Sequence, residues 1–210
     1  MKTSQKGFTL IEIAIVLVII GLLLGGVMKG QELITQSKIR SIEKEFDGVT
    51  VAVLNYRDRY KALPGDDSQT EARWVNSGKG NGNGKIDDDF NSTTATDESR
   101  LLWQHLRAAG LITAHREPTQ QPTNAAGGII GVQTEISNGG SKLLEGTVVC
   151  TTNLAASVAN AIDAAQDEGL PDKGSVRGFP QTSSNTPDYS SNLTAYVDDG
   201  KTLYTLCKQI

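Results

Sequence analysis

The sequence predicts an α+β protein: a long N-terminal α-helix packed on a small antiparallel β-sheet head domain, with short additional helices. Three observations predict it. An uninterrupted apolar run fills residues 8–28. A proline-free stretch from Gln31 to Tyr60 follows, with apolar residues at helical spacing. Beyond Pro64 the chain turns to Gly, Ser, Thr and Asn, with short β-patterned segments between turn signals.

The apolar run reads FTLIEIAIVLVIIGLLLGGVM and holds a single charge, Glu12. As a helix rising 1.5 Å per residue it spans about 31 Å, the thickness of a bilayer hydrocarbon core. The preceding residues 1–7, MKTSQKG, are short and basic. Lys2 and Lys6 hold the N-terminus on the cytoplasmic side by the positive-inside rule, which places the rest of the chain outside the cytoplasm. A secretory signal peptide fits poorly. Its apolar region should be shorter and end in a small-residue cleavage site, whereas Gly25-Gly26 here leads into Val27-Met28-Lys29. An ordinary single-pass anchor explains the lysines and the hydrophobicity but leaves Glu12 without a reason. A carboxylate inside a span costs a few kcal/mol and usually marks a partner and a function.

The second part of the helix is amphipathic. Ile39, Ile42, Phe46, Val49, Val53, Tyr56 and Tyr60 recur at spacings of three and four, with charged residues such as Lys38, Glu43 and Arg57 between them. Pro64 sets the stop near residue 62. This stripe suits the face of a head domain that needs a helix over its sheet; a coiled coil is the alternative. One helix from residue 8 to about 62 would be roughly 80 Å long.

About 150 residues remain for the head, enough for one core. With aromatics at 5% and 22 glycines, a loop-rich body is expected. Residues 64–98 read as loop. A helix follows, capped by Thr96 or Asp97 and running to Gly110. Residues 129–136 and 142–150 read as a hairpin about Asn138-Gly139-Gly140. Thr151 or Thr152 is expected to cap a further helix that buries Leu154, Val158, Ile162 and Ala165 and ends at Gly169. A last hairpin is expected from strands near 193–197 and 202–208 about Asp198-Asp199-Gly200. In an exported chain an even pair of cysteines signals one disulfide, so Cys150 and Cys207 are expected to pair; two free buried thiols are the alternative.

The string Lys6-Gly7-Phe8-Thr9-Leu10-Ile11-Glu12 resembles the prepilin signature of type IV pilins and type II secretion pseudopilins. The resemblance implies a leader at 1–7, a filament-core half-helix at 8–30, an amphipathic half-helix at 31–62 and a pilin-like head at 63–210. It implies cleavage by a prepilin peptidase between Gly7 and Phe8, methylation of the new amine on Phe8, and pairing of Glu12 with the N-terminal amine of a neighbouring subunit. Its implied partners are other pilin or pseudopilin subunits, an inner-membrane assembly platform, and membrane lipid before assembly. Its implied location is the inner membrane as a single-pass precursor, then a periplasmic or cell-surface filament. A buried carboxylate met by a cation is tolerated where an unmatched one is penalised, so the implied pairing gives Glu12 a physical reason. Three further stretches, at 62–67, 102–112 and 162–178, resemble minor or uncharacterised prepilin-type proteins. Many type IV pilins carry a proline near the exit of the apolar segment. This chain has none before Pro64, although Gly25, Gly26 and Gly30 each soften a helix by about 1 kcal/mol. That departure bears on the subfamily.

Other chemistry finds little footing. A net charge of −4, and two tryptophans, Trp74 and Trp103, offer neither the basic surface nor the stacking strip of a nucleic-acid binder, so no nucleic-acid partner is expected. The run at 78–90, GKGNGNGKIDDDF, fails as a phosphate loop because Lys79 stands at the first glycine and Ile86 follows Lys85. Against a calcium loop it matches in part. Asn81, Asn83, Asp87, Asp88 and Asp89 are the calcium candidates, with Asp66 or Asp67 as oxygen donors from elsewhere, yet Lys79 and Phe90 occupy the first and last ligand positions. A solvated acidic turn is the plainer reading, and no cofactor is expected. His105 and His115 have no partner at metal spacing, and His105 is expected to pack in a helix. No enzymatic activity is expected. The alternative function is a periplasmic binding or enzymatic domain on an uncleaved anchor.

Overall fold

The computed structural model describes Gly7 and Thr9–Ile210; Met1–Lys6 and Phe8, which hold most of the expected leader and the residue after the expected cut, lie outside the described residues. The chain divides into two compact units, Met1–Lys38 and Ile39–Ile210.

Helix α1 runs unbroken from Leu10 to Tyr60, as a chain without proline in that interval allows. It stops where Lys61 turns left-handed at φ 56°, three residues before Pro64. Within Ile39–Ile210 the helical stripe is buried as its spacing requires: Ile42, Phe46, Val49, Val53 and Tyr56 face the core, joined by Ala52.

The architecture is α+β. After α1 come α2 (Thr70–Arg73), α3 (Glu98–Ala108), β1 (Ile130–Asn138), β2 (Ser141–Ala155), α4 (Ala156–Gln166), β3 (Val176–Ser183), β4 (Thr186–Pro187) and β5 (Leu203–Gln209). The five strands form one antiparallel sheet in the order β1-β2-β5-β3-β4. Side chains alternate between its faces as the period of two demands. Val149, Leu154, Tyr204 and Leu206 join α1, α3 and α4 in one core; Val148, Cys150, Phe179 and Cys207 join Phe90 in a second cluster. Cys150 and Cys207 lie opposite each other on β2 and β5 and are bonded to each other. The disulfide therefore ties the C-terminal strand into the middle of the sheet.

Several local expectations are corrected. Thr151 and Thr152 do not cap a helix, because β2 continues through them to Ala155, with an irregularity in its pairing between Thr151 and Leu154. Leu154 is buried from a strand, and α4 begins only at Ala156. Residues 193–197 are not a strand. β5 already has β2 on one edge and β3 on the other, so no edge is left for a hairpin partner. That segment is held by side chains instead: Tyr204 Oη accepts the Val197 N–H at 2.8 Å, and Tyr196 Oη donates to buried Asp163 at 2.5 Å. The single turn α2 falls in the stretch where loop is expected, and strands β3 and β4 fall where the sequence carries no clear strand pattern.

The outer edge of β1 is closed by the 78–90 run. Ile86 N–H donates to Thr134 Oγ1 at 2.7 Å and Phe90 N–H to Gln133 Oε1 at 2.9 Å. Gly131 permits this approach, since a Cβ there would lie 2.5 Å from the Phe90 carbonyl oxygen.

Candidate functional site

The N-terminal start of α1 concentrates the features that no packing role explains. From Leu10 to Met28 no side chain is buried; Leu10 is 88% exposed, Leu22 73% and Met28 71%. Fully burying one such side chain is worth about 1.5–3 kcal/mol, so an apolar surface of this extent is not left in water. Among the described residues α1 is the helix long and apolar enough, by length and composition, to cross a membrane.

The single acid in this surface has a local geometry of its own. Thr9 precedes the first helical residue, and its carbonyl accepts the Ile13 N–H at 3.4 Å. Glu12 Oε2 accepts the Thr9 backbone N–H at 2.8 Å and lies 2.8 Å from Thr9 Oγ1, which donates to it. Thr9 Oγ1 in turn accepts the Glu12 N–H at 3.3 Å. Together these bonds make a capping box, which satisfies donors that the first turn of a helix otherwise leaves open. Its sequence signal is Thr-x-x-Glu at 9–12, a spacing that the apolar residues around it obscure. Of the residues expected to take part in processing, Gly7 is exposed, and Phe8 lies outside the described residues.

The other candidate residues stand in the head. His105 is fully buried on α3, with Nδ1 accepting the Gly65 N–H at 2.8 Å and Nε2 donating to the Gly78 carbonyl at 2.9 Å. Both ring nitrogens are thus spent on holding the 65–78 loop, and burial pushes the imidazole below its usual range. Beside it Tyr56 Oη donates to Asp67 at 2.8 Å, and Arg73 pairs with the same carboxylate. Arg73 also lies over the Tyr60 ring, 4.9 Å from its centroid. These contacts fix the end of α1 to the loop that follows it. His115 is exposed.

The calcium candidates form a hydrogen-bonded loop. Asn81 and Asn83 donate their side-chain amides to Asp87 Oδ2, at 2.9 and 2.7 Å. Asp66 receives the backbone N–H groups of Asn83 and Gly84, at 2.9 and 2.8 Å. Glu98 receives those of Asn81 and Asp87, at 2.8 and 3.0 Å, and its own N–H donates to Asp88 at 3.2 Å. Asp66 is 3% exposed and Glu98 6%, and burial raises the Glu98 carboxyl. Of Asp66 and Asp67, the oxygen donors expected from outside the run, Asp66 binds its backbone; Glu98, beyond the glycine-rich run, carries no sequence signal for that role. Among the described residues no group of three or more His, Cys, Asp or Glu side chains is arranged to hold a metal ion.

Residues 2–28 match the family model of the prokaryotic N-terminal methylation motif, the signature of type IV pilins and pseudopilins. Comparison with curated proteins and with solved structures found no match.

Proposed function

We propose that this chain, which carries the type IV pilin and pseudopilin signature at its N-terminus, is a structural subunit of a type IV pilus or a type II secretion-like pseudopilus. It is made as a membrane-anchored prepilin, cut after Gly7, methylated on Phe8, and drawn with other subunits into a filament. The observation that supports this reading is the union of two features. Helix residues from Leu10 to Met28 are almost all apolar and none of their side chains is buried among the described residues, and the methylation motif lies on that same segment. Lipid covers such a surface first. Copies of the same helix cover it later, with packing and polar contacts between helices supplying the drive that hydrophobicity cannot supply inside a bilayer. In this reading Glu12 meets the amine on a neighbour's Phe8, a prepilin peptidase and an inner-membrane assembly platform are the working partners, and the head faces outward. The role is structural, and the residues assigned to it act by pairing and packing.

Glu12→Ala tests the reading. Membrane insertion and cleavage are expected to stay intact while the mutant subunit co-purifies poorly with the other subunits of the filament. Co-purification at the wild-type level would contradict it.

One observation favours a second reading. The capping box gives Glu12 a local task, which an uncleaved single-pass anchor carrying a periplasmic domain would need as much as a pilin does. The two readings differ in the first residue of the mature chain.

A further inference from the structure

We propose that the cleft between the end of α3 and the 112–122 loop binds a small organic carboxylate, its charged end on Arg107 and His115 and its carbon end against Ile112, Ala114 and Pro122. Such a site lies wholly within Ile39–Ile210 and does not depend on whether the chain enters a filament.

The cleft encloses about 610 Å³ and is lined by a cation and by apolar carbon. It is roomy for an inorganic ion and of the size that small organic ligands occupy. Its walls are fixed before any ligand arrives. Arg107 donates to the carbonyls of Pro118 and Gln120, and Arg100 to that of Thr119 at 2.8 Å. The Pro122 carbonyl accepts the Ile130 N–H at 3.0 Å, which ties the far end of the loop to β1. A cleft held in this way loses little freedom on binding. What it lacks is negative charge. Arg100 has Asp97 nearby, whereas the charge acting on Arg107 is that of Arg100, of its own sign. Among the described residues Arg107 forms no ion pair, and Glu117 on the same loop forms none either. Burial, and then Arg100, press the Arg107 guanidinium below its usual range. A half-buried cation without a counter-charge is costly, and a carboxylate offsets that cost by accepting from the N–H groups that the two carbonyls leave over. His115 adds a donor. Its Nδ1 accepts the Glu117 N–H at 3.1 Å, so in the neutral ring Nε2 carries the proton. The carbonyls at the end of α3 would repel an anion, but those of His105, Leu106 and Arg107 already accept the N–H groups of Ala109, Leu111 and Gly110.

Isobutyrate is the probe, with chloride at matched ionic strength as the reference. Thermal unfolding of the detergent-solubilised full chain is the readout, since a ligand of the folded state alone raises the midpoint. Isobutyrate is expected to raise the midpoint saturably beyond chloride, and inorganic phosphate to raise it less. Arg107→Lys keeps the charge but loses the planar fork that fits a carboxylate, and His115→Ala loses the second donor. Each variant is expected to need several-fold more isobutyrate for the same rise. Because His115 is exposed, His115→Ala keeps the test open if Arg107→Lys fails to fold. A midpoint that follows ionic strength alone would overturn the proposal, as would a wild-type response in His115→Ala or in folded Arg107→Lys, which would place the anion elsewhere. Phosphate acting as strongly as isobutyrate would mark a bare charge and overturn the carboxylate assignment.

Discussion

Helix α1 is one continuous element with two different surfaces. Between Leu10 and Met28 it buries nothing; between Ile42 and Tyr56 it buries a stripe of six side chains. Backbone geometry is the same in both parts, so the contrast lies wholly in side-chain pattern. The second part is apolar at intervals of three and four and is satisfied by its own head. The first part is apolar all round, and a helix of that kind needs a surrounding that is apolar all round, such as lipid or neighbouring helices. A segment can therefore be fully helical and still be incomplete as a folded surface, and that incompleteness calls for a covering from outside the head, whether lipid or neighbouring helices.

Breaking each part should break a different property. The largest effect is expected from Gly7→Glu, which blocks processing outright and leaves the longer precursor as the only band on a gel, while the head keeps its unfolding transition. Next comes removal of the disulfide. With a sequence separation of 57 between Cys150 and Cys207, the chain-entropy account assigns the bridge about 4 kcal/mol. Thermal unfolding of the detergent-solubilised chain under reducing conditions should show a correspondingly lower midpoint, with insertion into the membrane unchanged.

A matched pair of truncations sharpens the comparison further. Ile42 is fully buried and Ile19 is 50% exposed. Ile42→Ala should cost the head about 2–5 kcal/mol through lost burial and the cavity left behind. Ile19→Ala should leave the same denaturant midpoint within about 0.5 kcal/mol. Equal losses would mean that the two parts of α1 are not distinct in the way their surfaces indicate.

The smallest effect concerns pH and belongs to the head alone. His105 is kept neutral by burial, and its folded value lies below the unfolded value of about 6.5. As pH falls below about 6.5 the unfolded chain takes up a proton that the folded chain refuses. Stability therefore falls, by at most about 1.4 kcal/mol per pH unit, until the folded imidazole titrates as well. Urea midpoints at pH 7.5 and 5.5 should show this loss in the wild type and a smaller one in His105→Gln.

How much of this was legible in sequence depended on the range of the signal. The stripe from Ile39 to Tyr60 is a short-range pattern and stands where the residues place it; of Thr96 and Asp97, Asp97 takes the N-cap position of α3, without a side-chain capping bond. The β2 irregularity and the course of 193–197 are long-range outcomes. Thr151 and Thr152 look like caps to a local reader, yet the pairing of β2 with β5 carries the strand past them to Leu154 and Ala155. Nothing near Leu193 announces that β5 has no edge to offer. At the candidate site the sequence showed Glu12 as an anomaly in an apolar run. Thr9 carries a weaker signal, because a threonine among apolar residues stands out only through its spacing from an acid in a capping box. Glu98 was hidden for a different reason: it binds the 81–87 backbone from a helix outside the motif.

The account stands on what happens at the bond between Gly7 and Phe8. Mass spectrometry and N-terminal sequencing of the protein, extracted from membranes of cells that contain a prepilin peptidase, test it most directly. The expected mature chain begins at N-methylated Phe8. A chain that still begins at Met1 under those conditions would contradict the account and leave a head domain on a plain membrane anchor.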